Sequence, residues 1–223
     1  MQFLNIPFTS QKNLIHLFHL VNQGSLNSNK NKREDKKILF IHNPKVAGNT
    51  IFKILGLDQA YKGATSHKTP TMLVSKGDWE SYVSVVGVRH PIDRLISSYH
   101  YHTKETYQGV FLKNYPALHK MSFEEYFEIF RKVPYVIMPQ WYYAHHFLSE
   151  KSVDFVLRFE DLEQDVRAMA KSLGLDFNGL PHLNSSARKE QAYFDSMSFR
   201  ERVLDYYKKD FDTFGYTPDF NKY

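Results

Sequence analysis

Between Lys37 and Leu55 the hydrophobic pattern of the chain changes twice. Ile38, Leu39, Phe40 and Ile41 form a short apolar run with β-branched members, which predicts a buried strand. His42–Thr50 then breaks the run with Pro44 and Gly48, and Ile51, Phe52, Ile54 and Leu55 resume at helical spacing. Strand, tight loop and helix follow one another within a single stretch, and the remaining elements are read outward from it.

Upstream, Ser10 is placed to cap a short helix carrying Leu14, Ile15, Leu17, Phe18 and Val21, and Asn22–Lys37 is polar and charged enough to read as a solvated linker. This divides the chain into an N-terminal appendage and linker, 1–35, and a folded domain, 36–223. Downstream, Gly56–Gly77 reads as irregular, with a short helix starting near Thr71. Trp79–Val88 reads as a second buried strand ending at Arg89, and Pro91 fits the first turn of a helix along which Ile92, Leu95, Ile96 and Tyr99 recur. Ser122 with Glu125 is a capping-box signature, and Tyr135–Leu148 reads as a further helix whose aromatics belong to the core. Asp161–Leu173 is amphipathic and stops at Gly174, and Ser198 with Glu201 is expected to open the last helix, with Val203, Leu204 and Tyr207 facing inward. The fold class expected is a single α/β domain with a central, mainly parallel sheet flanked by helices.

Composition narrows the chemistry. A chain of 223 residues, 42% hydrophobic and 16% aromatic, has ample material for one core, and a net charge of +5 suits an anionic ligand without naming one. There is no cysteine, so no disulfide framework and no thiolate metal site; this is compatible with a reducing cytoplasm, the expected location. No apolar run reaches membrane-spanning length, and no signal peptide is expected.

The loop His42–Thr50 carries the first candidate chemistry. A strand followed by a tight loop and a helix start offers unpaired backbone N–H groups and a partial positive charge, Lys45 adds a full charge, and Gly48 is expected to let the backbone approach a ligand. The same pattern also fits a plain surface turn with a solvated lysine. A Walker A loop fits poorly, because its lysine follows the second glycine whereas Lys45 precedes Gly48. The second block is Arg89–Tyr99. An arginine at a strand end and Ser97 two turns into the next helix can converge on one phosphate, the arginine forking onto two oxygens and the serine donating to a third. The alternative is Arg89 paired with Asp93 and Ser97 bonded to its own helix.

HNPKVAGNT, residues 42–50, resembles the 5′-phosphosulfate loop of the sulfotransferases that use 3′-phosphoadenosine 5′-phosphosulfate (PAPS), and VVGVRHPIDRLISSY, residues 85–99, resembles their 3′-phosphate segment. The similarity is greatest to the carbohydrate group that includes heparan and chondroitin sulfotransferases and to its short bacterial relatives. It continues through Met138-Pro139-Gln140, through Phe155–Leu162 as a third core strand and turn, through Leu180–Asn184 and through Asp210–Tyr216. The chain departs from the family at Val46, Ala47, Asn49 and His90, and Val46 has no hydroxyl to donate.

The resemblance implies a P-loop-like sulfotransferase fold. It implies transfer of a sulfuryl group from PAPS, as co-substrate and without a metal, to a hydroxyl of an acceptor, an oligosaccharide or other glycan. The donor-binding residues implied are Pro44, Lys45, Val46, Ala47, Gly48, Asn49, Thr50, Arg89 and Ser97. The polar stretch Asn184–Tyr193, otherwise a solvated connector, falls where the family has a basic loop over the nucleotide, which adds Ser186, Arg188 and Lys189. Lys45 is implied as the catalytic group that stabilises the leaving phosphate.

The base is sought among the 11 histidines. His67 lies between the two phosphate motifs, in a segment that can cross the mouth of the site, and the family carries its catalytic histidine in this interval. A loop histidine capping the helix near Thr71 is the structural alternative. His100 and His102 are expected on the outer side of their helix or at its end, His42 as a packing group, and His182 as a support for the basic loop. Two other functions remain in view: an ATP-dependent small-molecule kinase on a related fold, which should show a Walker loop and acidic magnesium ligands, and a basic nucleic-acid-binding module. Neither signature is found, and the densest basic run, Lys30–Lys37, is interrupted by Glu34 and Asp35. No nucleic-acid partner is therefore expected.

Overall fold

The computed structural model describes residues 32–33, 35, 37–57, 67–180, 193–220 and 222. The predicted helix after Ser10, residues 181–192 with Ser186, Arg188 and Lys189, and the stretch 58–66 lie outside the described residues.

Four strands form one sheet in the order β1-β2-β3-β4: Lys32–Arg33, Ile38–Ile41, Val83–Val88 and Phe155–Arg158. β2, β3 and β4 are parallel, with Phe40 opposite Val85 and Val86 opposite Val156; β1 is an antiparallel edge. The single α/β domain with a mainly parallel sheet is thus present. β1 falls in the stretch read as linker: Lys32 pairs with Leu39, and the Arg33 guanidinium reaches the Leu55 carbonyl and Asp35.

The central strands are buried on both faces, which is why they read as continuous apolar runs rather than alternating ones. Ile38, Phe40, Val85 and Leu157 pack against Ile51 and Phe52 of α1 (Gly48–Ile54) and Leu162, Val166 and Met169 of α7 (Leu162–Leu173). Leu39, Ile41, Val86 and Val88 face Trp79, Tyr142, Tyr143 and Phe214. A third cluster joins α4 (Pro91–Thr103), α6 (Phe123–Phe130) and α8 (Met197–Phe214) through Ile92, Leu95, Phe127, Phe130, Val203 and Tyr207. Small elements complete the chain: α2 (Pro70–Leu73), α3 (Lys76–Ser81) and α5 (Phe111–Asn114).

Several local expectations hold. Pro91 occupies the first turn of α4, the Ser122–Glu125 capping box opens α6, and Gly174 ends α7 in the left-handed conformation at φ 61°. Three do not. Trp79–Ser81 is helix, not strand, because the Ser75 side chain accepts the Asp78 N–H and caps α3; Trp79 still reaches the core, and β3 begins at Val83. Tyr135–Leu148 is not a helix. Tyr135 sits at φ 70° and Pro139 has no N–H to donate, so only a 3₁₀ turn forms, at Gln140–Tyr143. Of its aromatics, Tyr142 and Tyr143 are core while Phe147 stays exposed. The last helix starts two residues early, at Ser196, whose side chain accepts the Phe199 N–H and thereby sets Phe199 into the core from the first turn.

Candidate active site

β2, β3 and β4 end along one edge of the sheet, at Ile41, Val88 and Arg158. In open α/β sheets this carboxyl edge is where ligands bind. The loop after β2 is held there by shape. Lys45 and Ala47 both have positive φ, 68° and 60°, with Val46 between them outside that region. Non-glycine residues pay for such backbone angles, and alternation of this kind aims successive N–H groups at one point.

The glycines of the site serve packing. Gly48 is not in a left-handed conformation; a Cβ on it would lie 2.1 Å from His42 Nε2. The missing side chain makes room for the His42 ring. Gly87, in β3, does the same for Val46: a Cβ there would meet Val46 Cγ2 at 2.8 Å. The Val46 side chain therefore points into the protein, and only its backbone faces outward chemistry. Pro44 is buried too, whereas Asn49 is exposed and Thr50 half-buried.

A buried polar lattice ties the loop to the second strand end. Asn43 Nδ2 donates to the Gly87 carbonyl and to Gln140 Oε1, each at 3.0 Å. Gln140 Oε1 also accepts the Arg89 N–H at 3.0 Å, and its Nε2 donates to the Arg89 carbonyl at 2.6 Å. The Asp210 carboxylate accepts the Gln140 and Trp141 N–H groups from the far side, at 2.8 and 2.9 Å. Arg94, 1% exposed, donates to the Ile137 and Met138 carbonyls and reaches Asn43 Oδ1. Sequence reasoning noted Gln140 and Asp210 only as landmarks and did not single out Asn43 or Arg94. Polar side chains that fix backbone across 44 to 97 residues of sequence carry no local signal.

Lys45 and Arg89, predicted from separate motifs, come together. Burial, and then the positive charges of Arg89 and Lys104, push the Lys45 amine down to about 8. Its ammonium lies 4.1 Å from the centre of the Tyr101 ring, and the Arg89 guanidinium lies 4.2 Å from that of Phe159. Ser97 is half-buried on α4.

His67 joins them. Its Nδ1 is 3.1 Å from the His42 carbonyl oxygen. A carbonyl only accepts, so Nδ1 carries the proton and Nε2 is the basic nitrogen. Burial lowers the His67 pKa; the bond to His42 raises it, and the charges of Arg94 and Lys45 lower it further. The helix-cap alternative is not realised, because Thr69 occupies the N-cap of α2. The His42 ring packs 4.4 Å from that of His67, and burial and His67 drive it down to about 3, so it is neutral. His100 and His102 stand in the last turn of α4, the helix end where they were expected. His102 is buried there, with Nδ1 2.8 Å from the Tyr126 hydroxyl, and burial, Lys45 and His67 lower it to about 4. His100 is half-buried and bonds the Tyr193 hydroxyl rather than facing outward. Among the described residues no group of three or more histidine or acidic side chains is arranged to hold a metal ion, and no helix is long and apolar enough to cross a membrane.

The Sulfotransferase family matches residues 31–217, which spans the sheet, the loop and every site residue named above. The chain belongs to the sulfotransferase family. It moves a sulfuryl group to an acceptor hydroxyl. Comparison with curated proteins found no match, and comparison with solved structures found none. In this sulfotransferase the charges that lower Lys45, those of Arg89 and Lys104, are both cationic. That set suits a donor bearing several negative charges.

Proposed function

We propose that the donor is PAPS and that the acceptor is a carbohydrate. The observation that carries the reading is that the loop bearing Lys45, the strand end bearing Arg89, and His67, bonded to the His42 carbonyl, come from three separate segments to the carboxyl edge of the sheet. Lys45 and the backbone of residues 44–50 take the 5′ phosphosulfate, and Arg89 with Ser97 takes the 3′ phosphate. Ser186, Arg188 and Lys189 are assigned to the donor by resemblance alone, as is the carbohydrate acceptor.

The acceptor oxygen attacks sulfur in line, and its proton passes to His67 Nε2. The bond from sulfur to the bridging oxygen breaks, and the electron pair leaves with adenosine 3′,5′-bisphosphate. Lys45 stabilises the charge that develops on that oxygen. As in phosphoryl transfer, positioning and charge stabilisation supply most of the catalysis.

The test is direct. The protein is incubated with sulfur-labelled PAPS and a panel of glycans, and calorimetry compares adenosine 3′,5′-bisphosphate with ATP and with an oligonucleotide. Label transfer to a glycan and selective binding of the bisphosphate are expected. Equal affinity for ATP would overturn the donor, and transfer only to non-carbohydrate hydroxyls would overturn the acceptor.

A further inference from the structure

Tyr101 stands in the last turn of α4 and is 44% exposed, unusual for a ring that so many groups approach. The Lys45 ammonium lies 4.1 Å from its centroid and the Lys104 ammonium 5.0 Å. His102 and Tyr107 meet it edge-on at 5.1 and 5.7 Å, which fixes the plane of the ring. Two cations gathered on one exposed ring is more than packing requires.

We propose that Tyr101 is a positioning residue for Lys45: its ring face holds the ammonium beside the loop, in place to meet the leaving oxygen of the donor. This rests on the role assigned to Lys45 above. A lysine has four rotatable side-chain bonds, and the groups around this one repel it. Arg89 stands at the end of β3 and Lys104 at the end of α4, and both charges act on it. Repulsion from two cations does not select a position, whereas a ring face attracts the cation along one direction. Lys45 is thus kept charged and aimed before the donor arrives. Because the attraction belongs to the π face, phenylalanine should replace tyrosine and leucine should not.

The experiment reads Lys45 itself and then turnover. Competitive acylation across a pH series, quantified on the Lys45 peptide by mass spectrometry, gives the amine's pKa in the donor-free protein. Loss of the ring in Tyr101→Leu is expected to lower that pKa by about half a unit, while Tyr101→Phe leaves it unchanged. Turnover should fall roughly 3- to 30-fold in Tyr101→Leu, with the KM for PAPS within about twofold of wild type, and recover in Tyr101→Phe. Circular dichroism verifies that both variants fold. An unchanged Lys45 pKa in Tyr101→Leu overturns the contact, and a lowered pKa with full turnover overturns the positioning role. Equal loss in both variants assigns the effect to the hydroxyl and also overturns the proposal. Failure of the underlying reading looks different: Lys45→Ala would then be fully active, while the labelling would still report whether Tyr101 holds the amine.

Discussion

The backbone carbonyl of His42, the residue that follows β2, accepts the Nδ1–H of His67, which lies ahead of α2, at 3.1 Å. That one bond fixes the tautomer of His67 and leaves Nε2 to take a proton. His67→Ala should lower turnover roughly 100- to 10,000-fold while adenosine 3′,5′-bisphosphate binds with near-normal affinity. Single-turnover kinetics with parallel calorimetry checks this. A variant that loses nucleotide binding in step with activity would make His67 a scaffold residue.

The pH profile of kcat/KM should be bell-shaped, because it reports the free enzyme. His67 must be neutral to act, and its pKa lies below the ordinary 6.5, so the acid limb should fall below that value. Lys45 must be charged, and its amine is lowered to about 8, so activity should decline as pH rises through that region. Lys45→Arg should be slower but lose the alkaline limb, since a guanidinium stays charged. Lys45→Ala should cost roughly 100- to 1000-fold in turnover where the wild-type amine is charged, the usual loss for a single charge-stabilising donor, and progressively less as pH rises through about 8.

If the donor is PAPS as proposed, Arg89 should carry the discrimination between nucleotides. Its backbone is locked by Gln140 on both N–H and carbonyl, so replacing the side chain leaves the strand end in place. Arg89→Ala should weaken adenosine 3′,5′-bisphosphate much more than adenosine 5′-phosphate, and Ser97→Ala should do the same to a smaller degree. Isothermal titration with the two nucleotides is the measurement; equal losses on both would remove the 3′ phosphate from this pair.

Gly48→Ala sets two effects against each other. Helix propensity favours alanine over glycine by about 1 kcal/mol. The added Cβ, however, would stand 2.1 Å from the His42 ring, and overpacking of this kind costs about 1–3 kcal/mol. The clash should win, lowering the urea midpoint. In a His42→Ala background the same change should become neutral or stabilising, which a double-mutant cycle of urea melts would reveal.

The sequence determined the elements whose causes are local. Ile38–Ile41 is a strand because four apolar residues run together before a proline, and Pro91, the Ser122–Glu125 box and Gly174 mark helix ends by their own backbone chemistry. Lys45 and Arg89 could be proposed for the same reason, since each sits in a short contiguous motif. Where a local signal had competition, the sequence reading went astray. Trp79 is β-prone but lies beyond a Ser75 cap, and Ser198–Glu201 resembles a cap but follows Ser196, which puts Phe199 in the core. Only the tertiary structure decided what binds the motifs together. Asn43, Gln140 and Asp210 are far apart in the chain, and each is buried where it must satisfy backbone groups of other segments. The inward turn of His102, the cations around Lys45 and the ring of Tyr101 are likewise consequences of packing α4 beside the loop. Burial and neighbouring charge set how these groups ionise, and both depend on where the folded chain brings distant residues together.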